Sequence, residues 1–214
     1  MKVKICGVTT IADALMCAEA GADFIGLNFY PKSPRYLARG AAREIANALH
    51  NLPRPPVLVG VFVNEPATTM TAILDECGLD LAQLSGDEPD DILQAMNARG
   101  FKAIRNHQLI TNYKRQTTND KPQVLFDTHV PGEFGGTGKT ADWGAAAQLA
   151  SQCRLLLAGG LTPENVVQAI CVVQPWGVDV ASGVESAPGV KDRTKVVAFI
   201  KAAKGNEHHS SRRS

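Results

Sequence analysis

Short apolar runs alternate with amphipathic windows along almost the whole chain. Runs rich in Val, Ile, Leu and Phe fall at 3–6, 23–29, 57–63, 80–84, 102–105, 124–127, 155–158 and 178–181. They are short and apolar enough to read as buried strands. Between and after them, apolar residues recur at helical spacing over 11–20, 41–52, 66–77, 89–98, 110–116, 141–151, 163–173 and 191–204. Asn64-Glu65-Pro66 and Thr162-Pro163-Glu164 mark two helix starts, because proline suits the first helical turn. Strands alternating with helices are the pattern of a parallel sheet with crossover helices. Eight such units in about 205 residues predict an α/β fold, a lean single-domain (β/α)8 TIM barrel over 1–204. An open doubly wound sheet has the same alternation. The polar stretch 205–214, with His208 and His209, has no period and reads as a disordered tail.

In a barrel the active site lies at the C-terminal ends of the strands, and the polar residues of this chain collect there. They are Cys6, the loop Pro31-Lys32-Ser33-Pro34-Arg35, Asn64, Ser85-Gly86-Asp87-Glu88, Arg105, Asp127, Gly159-Gly160 and Ser182-Gly183. Cys6 is the first candidate for chemistry. Strand alternation puts Lys4 and Cys6 on one face, roughly 6.5 to 7 Å apart, and Val3 and Ile5 on the other. The Lys4 ammonium and the helix N-terminus that Thr9 or Thr10 would cap both predict a thiolate. His107 and His129 adjoin predicted strand ends, where solvated loop histidines are common.

The loop from Thr128 to Thr140 carries Gly135, Gly136 and Gly138 before Lys139. Glu133 stands where an NTPase phosphate loop needs its first glycine, so the loop reads as a mobile lid. Phosphate binding falls instead to Gly159 and Gly160 after the seventh strand and Ser182 and Gly183 after the eighth. Backbone N–H groups approach an anion closely there, at the N-terminus of a short extra helix.

Composition narrows the partners. A chain of 214 residues, 44% hydrophobic and 20% charged, can bury one sizeable core. Its 22 basic and 21 acidic side chains leave no electrostatic footprint for nucleic acid, and no stretch is long enough to span a membrane. A cytoplasmic protein with a small-molecule ligand fits best. Five widely spaced cysteines, Cys6, Cys17, Cys77, Cys153 and Cys171, suit neither a disulfide framework nor a zinc site, and the last four read as structural.

Six blocks together carry a resemblance. Lys4-Ile5-Cys6-Gly7, Phe29-Tyr30-Pro31-Lys32-Ser33-Pro34-Arg35-Tyr36, Gly60-Val61-Phe62-Val63-Asn64, Gly135-Gly136-Thr137-Gly138-Lys139-Thr140, Ala158-Gly159-Gly160-Leu161-Thr162-Pro163-Glu164-Asn165 and Ser182-Gly183-Val184-Glu185 closely resemble the phosphoribosylanthranilate isomerase family. The resemblance runs in register from Lys2 to about Ala203. It implies an Amadori rearrangement in tryptophan biosynthesis, acting on a phosphosugar with no cofactor and no metal. By the same resemblance Asp127 is the general acid, Cys6 the general base, and Arg35 the group that holds the anthranilate carboxylate. A planar guanidinium suits that last role. Asp179 either binds a sugar hydroxyl or pairs with Lys4. With Lys4, Gln83 and Ser85 it forms a candidate supporting layer.

Three positions depart from the family pattern. Ser85 replaces a histidine in Gln83-Leu84-Ser85-Gly86, Ala181 replaces a common serine, and Asn28 stands where an apolar residue is frequent. Other readings are a related phosphate-binding barrel of histidine or tryptophan biosynthesis, or a non-catalytic phosphosugar binder. The first is disfavoured because histidine-pathway isomerases use two aspartates and Cys6 holds the first position. Monomer and homodimer both remain open.

Overall fold

The computed structural model describes residues 1–104, 121–127 and 142–205. Eight parallel strands close into a barrel in sequence order. They are β1 (Lys2–Cys6), β2 (Phe24–Asn28), β3 (Val57–Phe62), β4 (Leu81–Leu84), β5 (Gly100–Ile104), β6 (Val124–Phe126), β7 (Leu155–Leu157) and β8 (Gly177–Val180). Pairing of β1 with β8, Lys4 opposite Asp179, closes the ring and rules out the open sheet. Each predicted strand is present, with ends shifted by one or two residues.

The helices among the described residues are α1 (Ile11–Glu19), α2 (Arg39–His50), α3 (Ala67–Cys77), α4 (Asp90–Ala95), α5 (Trp143–Ala150), α6 (Val166–Val173) and α7 (Arg193–Gly205). None is long and apolar enough to cross a membrane. The expected helix at 110–116, Arg105, His107, His129 and the glycine-rich loop with Gly135, Gly136 and Gly138 lie outside the described residues, as do His208 and His209. Gly205 itself ends α7 rather than beginning a tail.

Several helix starts move inward. Pro66 and Pro89 stand just before their helices with extended backbone, and α6 starts three residues after Pro163. The Asn165 side chain explains the last shift. It accepts from the Thr162 N–H at 2.8 Å and donates to the Gly160 carbonyl at 2.9 Å, so 162–165 forms a turn that braces the loop before winding into helix. The expected helix start at Lys191 is also corrected. Val190–Lys191 (β10) pairs antiparallel with Glu185–Ala187 (β9), so this stretch is a two-stranded ribbon and α7 begins two residues later.

Strand alternation divides the core in two. Outward residues such as Val3, Ile5, Ile25, Leu27, Leu58 and Phe62 pack under the helices. Inward Phe24, Val59, Leu81, Phe101, Leu125 and Leu156 fill the barrel. Along several strands the apolar inward residue comes first and a polar one follows toward the C-terminal end. Leu81 precedes Gln83, and Leu125 precedes Asp127.

At the opposite ends of the strands, carboxylates close the ladder. Asp23, just before β2, accepts from the Val3 N–H of β1 at 2.9 Å, and Asp80, just before β4, from the Leu58 N–H of β3 at 2.8 Å. Leu58 is fully buried, so its N–H has no water to fall back on. Asp80→Ala is therefore expected to lower stability by about 1–3 kcal/mol in urea unfolding while leaving the mouth of the barrel intact.

Candidate active site

The inward face of β1 ends in a buried charged group. Lys4 is 0% exposed, and its Nζ donates to Asp179 Oδ1 across the β1–β8 seam at 2.8 Å. The same ammonium lies beside the Cys6 sulfur, both facing Gly26, and its charge acts on the thiol. Burial works against the Lys4 charge, but Asp179 and Cys6 outweigh it, and the lysine pKa is raised. Of the two roles open to Asp179, the structure shows the pairing with Lys4.

Gly26 on β2 makes room for this group. A Cβ there would come within 2.8 Å of the Cys6 sulfur and 3.2 Å of the Lys4 nitrogen, so β2 must be bare opposite Cys6. The sequence places this glycine within the strand read at 23–29 but does not show what it faces.

Cys6 is 9% exposed. Burial pushes its thiol above the usual value, and Asp179 adds to the rise, while Lys4 and Lys191 pull the other way. The expectation of a resting thiolate is thus reversed, because desolvation of the sulfur outweighs the neighbouring cations. Burial alone does not single Cys6 out. It also pushes Cys17 to about 12 and Cys153 to about 11. Cys6 differs in having an ammonium beside it. Cys171 is exposed.

Asp127 follows β6 directly and lines a pocket with Asp179, Gly159, Gly160, Ser182 and Gly183. The predicted acid and the predicted anion loops therefore meet in one cavity, and Asp179 joins it to the Lys4–Cys6 pair. Gly159 and Gly160 adopt φ of 85° and 64°, which frees their backbone from the usual right-handed course. Ser182–Val184 forms the short extra helical turn. Gly183 is packed against the Leu161 carbonyl, where any side chain would collide with backbone. The two loops thus lock together.

Arg35 reaches the mouth from the loop after β2. Asn28 organises that loop: its Oδ1 accepts from the Tyr30 N–H at 2.8 Å and its Nδ2 donates to Ser33 Oγ at 3.2 Å. Ser33 Oγ in turn accepts from the Arg35 N–H at 3.1 Å. An amide in place of an apolar residue thus acquires a physical role. The Arg35 stem lies over Gly7, where a Cβ would collide with it. Its guanidinium is held in a fork by Glu185, Nε at 2.8 Å and Nη2 at 2.6 Å. Glu185 and Lys191, which also bonds this carboxylate, carried no role in the sequence reading. The signal was faint: Glu185 closes a recognisable block, but its partners stand 150 residues upstream and six downstream.

Ser85 is buried, with its N–H on the Phe62 carbonyl and its Oγ accepting from Gln83 Nε2 at 3.0 Å. Beside it, Glu88 accepts from the N–H groups of Asn64 and Gly86 and pairs with Lys102 at 2.5 Å, fixing the loops after β3 and β4.

Comparison with known proteins gives the chain its relatives. The family model described as N-(5′-phosphoribosyl)anthranilate (PRA) isomerase matches residues 3–202. An N-(5′-phosphoribosyl)anthranilate isomerase of Geotalea uraniireducens is 48% identical over 206 residues, covering 95% of this chain and 98% of its own. The crystal structure of phosphoribosyl anthranilate isomerase from Thermotoga maritima superposes with a TM-score of 0.83 at 40% identity, over 96% of this chain and 99% of the other. A phosphoribosyl anthranilate isomerase crystallised with reduced 1-(o-carboxyphenylamino)-1-deoxyribulose 5-phosphate gives 0.80 at 38% identity, over the same shares. With its closed eight-stranded barrel and a match along nearly its whole length, this chain belongs to the N-(5′-phosphoribosyl)anthranilate isomerase family.

Proposed function

We propose that this chain converts N-(5-phosphoribosyl)anthranilate into 1-(2-carboxyphenylamino)-1-deoxyribulose 5-phosphate, an aldose–ketose isomerisation of tryptophan biosynthesis in the cytoplasm, with Asp127 as general acid and Cys6 as general base. The observation that carries the reading is the shared cavity. Asp127 and the Gly159–Gly160 and Ser182–Gly183 backbone line it together with Asp179, whose partner Lys4 lies beside Cys6.

In this mechanism the phosphate sits on the backbone N–H groups of the last two loops and the anthranilate carboxylate on Arg35. Asp127 donates a proton to the furanose ring oxygen. The bond from C1 to that oxygen breaks, leaving a hydroxyl at C4 and a protonated Schiff base at C1. Cys6, as thiolate, removes the proton on C2, and the electron pair neutralises the iminium to give an enolamine. Loss of the C2 hydroxyl proton and gain of one at C1 produce the ketone. Cys6, a thiol at rest, sheds one proton to solvent before it takes the one from C2 and so ends as it began, while Asp127 has lost one proton, which solvent returns to reset the site.

Burial of Cys6 gives this scheme its timing. The thiol stays protonated at rest, and the cationic Schiff base, forming beside Lys4, favours the thiolate when it is needed. In this reading Asp127 and Cys6 reach one substrate from separate strands, β6 and β1, rather than from one motif.

Loss of substrate fluorescence on mixing with the purified protein measures the activity directly, and a silent trace would leave only a binding role. Cys6→Ala and Asp127→Ala should each lower kcat by on the order of a hundredfold or more with an unchanged circular dichroism spectrum.

The pH profile has a defined sign. A base with a raised pKa gains activity as pH climbs through the alkaline range. Lys4→Met removes the cation that favours the thiolate, so the rising limb of kcat/KM should move to still higher pH. A limb that stays put would separate Lys4 from the base. Arg35→Met should raise KM with kcat nearly unchanged in steady-state assays, and an unaltered KM would count against its carboxylate role.

A further inference from the structure

Arg35 does not stand alone at the mouth. Its carboxylate partner, Glu185, is 7% exposed and comes from the β9–β10 ribbon that follows the last barrel strand. Glu185 Oε1 accepts from Arg35 Nε at 2.8 Å and from Lys191 Nζ at 2.7 Å, while Oε2 accepts from Arg35 Nη2 at 2.6 Å. Lys191, itself buried, also donates to the carbonyls of Cys6 at 2.6 Å and Ala181 at 3.2 Å. The ribbon is tied down at two more points. Lys195 Nζ donates to the Glu185 carbonyl at 2.8 Å, and Thr9 Oγ1 to that of Gly189 at 2.6 Å.

Two features of this cluster bear on a ligand. A guanidinium has five N–H donors, and Glu185 takes two of them, along the Nε–Nη2 edge. The three that remain include both on Nη1, so the outer Nη1–Nη2 edge keeps the paired geometry a second carboxylate needs. Charge points the same way. Arg35 and Lys191 carry two positive charges against the one negative charge of Glu185, and Lys195 on the Glu185 carbonyl offsets Asp13 on the Lys191 N–H, so the cluster has an excess of one cation that an incoming carboxylate would balance.

We infer that Glu185 is the positioning residue for the substrate's carboxylate end: from the ribbon it grips the inner edge of Arg35 and turns the outer edge toward the ligand, with Lys191 tying the same carboxylate to the backbone of Cys6. The inference rests on the proposed carboxylate-binding role of Arg35 and deepens it. Selectivity for an anthranilate-bearing phosphosugar then comes from an arginine set in place before the ligand arrives, and the same ribbon holds the end of the strand that delivers the base.

The test compares two ligands on each variant. One is reduced 1-(o-carboxyphenylamino)-1-deoxyribulose 5-phosphate, and the other is its phenylamino counterpart without the carboxyl group. Glu185→Gln keeps the shape but turns an acceptor into an N–H donor facing other donors. It should weaken the carboxyl-bearing ligand by about tenfold or more and the other by less than about twofold. In the Arg35→Met background the same change should add less than about twofold for either ligand.

Equal weakening of both ligands would mark Glu185 as a structural residue only, and no weakening of either would also overturn the inference. If thermal melting shows Glu185→Gln unfolded, Glu185→Asp, which keeps the charge but pulls the arginine back, carries the same comparison and the same expected discrimination. If Arg35→Met alone fails to distinguish the two ligands, the carboxylate role of Arg35 is wrong, and the role of Glu185 falls with it. If Arg35→Met distinguishes them and the Glu185 variants do not, only the positioning role fails.

Discussion

The ion pair of Lys4 with Asp179 is the constraint around which the barrel is arranged. A lysine with no exposed surface survives only when a counter-charge sits within bonding distance, since removing one partner of a buried pair costs about 3–5 kcal/mol. Here the counter-charge comes from the eighth strand, opposite Lys4 in the register that closes the ring. Closure and charge pairing are therefore one event. With the ammonium fixed between Asp179 and Cys6, and with Gly26 leaving space for both nitrogen and sulfur, the first strand can present a thiol at the mouth in only one way.

Much of this could be read from the amino-acid sequence because strands have a period of two. Lys4 and Cys6 had to share a face, and the ordered list of polar residues after each strand had to form a ring once the sheet closed. Periodicity carries no information about pairings across distant segments. Glu185 meets Arg35 through a ribbon with five strand residues that has no barrel counterpart, and Lys191 looked like the start of a helix. Nor could spacing weigh burial against charge at Cys6. Sequence supplied the lysine, whereas desolvation of the sulfur is a property of the assembled interior, and it is the larger of the two. Asn28 and Gly26 were legible only as letters, one an oddity and the other a glycine in a strand, until the loop and the sulfur they serve were in place.

Acidic side chains do different work at the two ends of the barrel. At the N-terminal ends, Asp23 and Asp80 accept from strand N–H groups, Asp23 also pairing with the more exposed Lys204 at 2.8 Å, and the Gln123 side chain accepts from the N–H of Arg154 just before β7. These bonds finish the ladder and contribute stability. Toward the mouth, Asp179, Glu185 and Glu88 each hold one or two cations with little or no solvent. Buried pairs of this kind contribute little net stability, because desolvation cancels most of their attraction. What they do is fix where a cation points: Lys4 at the sulfur, Arg35 across the opening, Lys102 under the loop after β4. A barrel could be more stable with apolar residues at these positions, but it would then lack a defined mouth. The distribution of acids, stabilising at one end and orienting at the other, is the physical form that function takes in this chain.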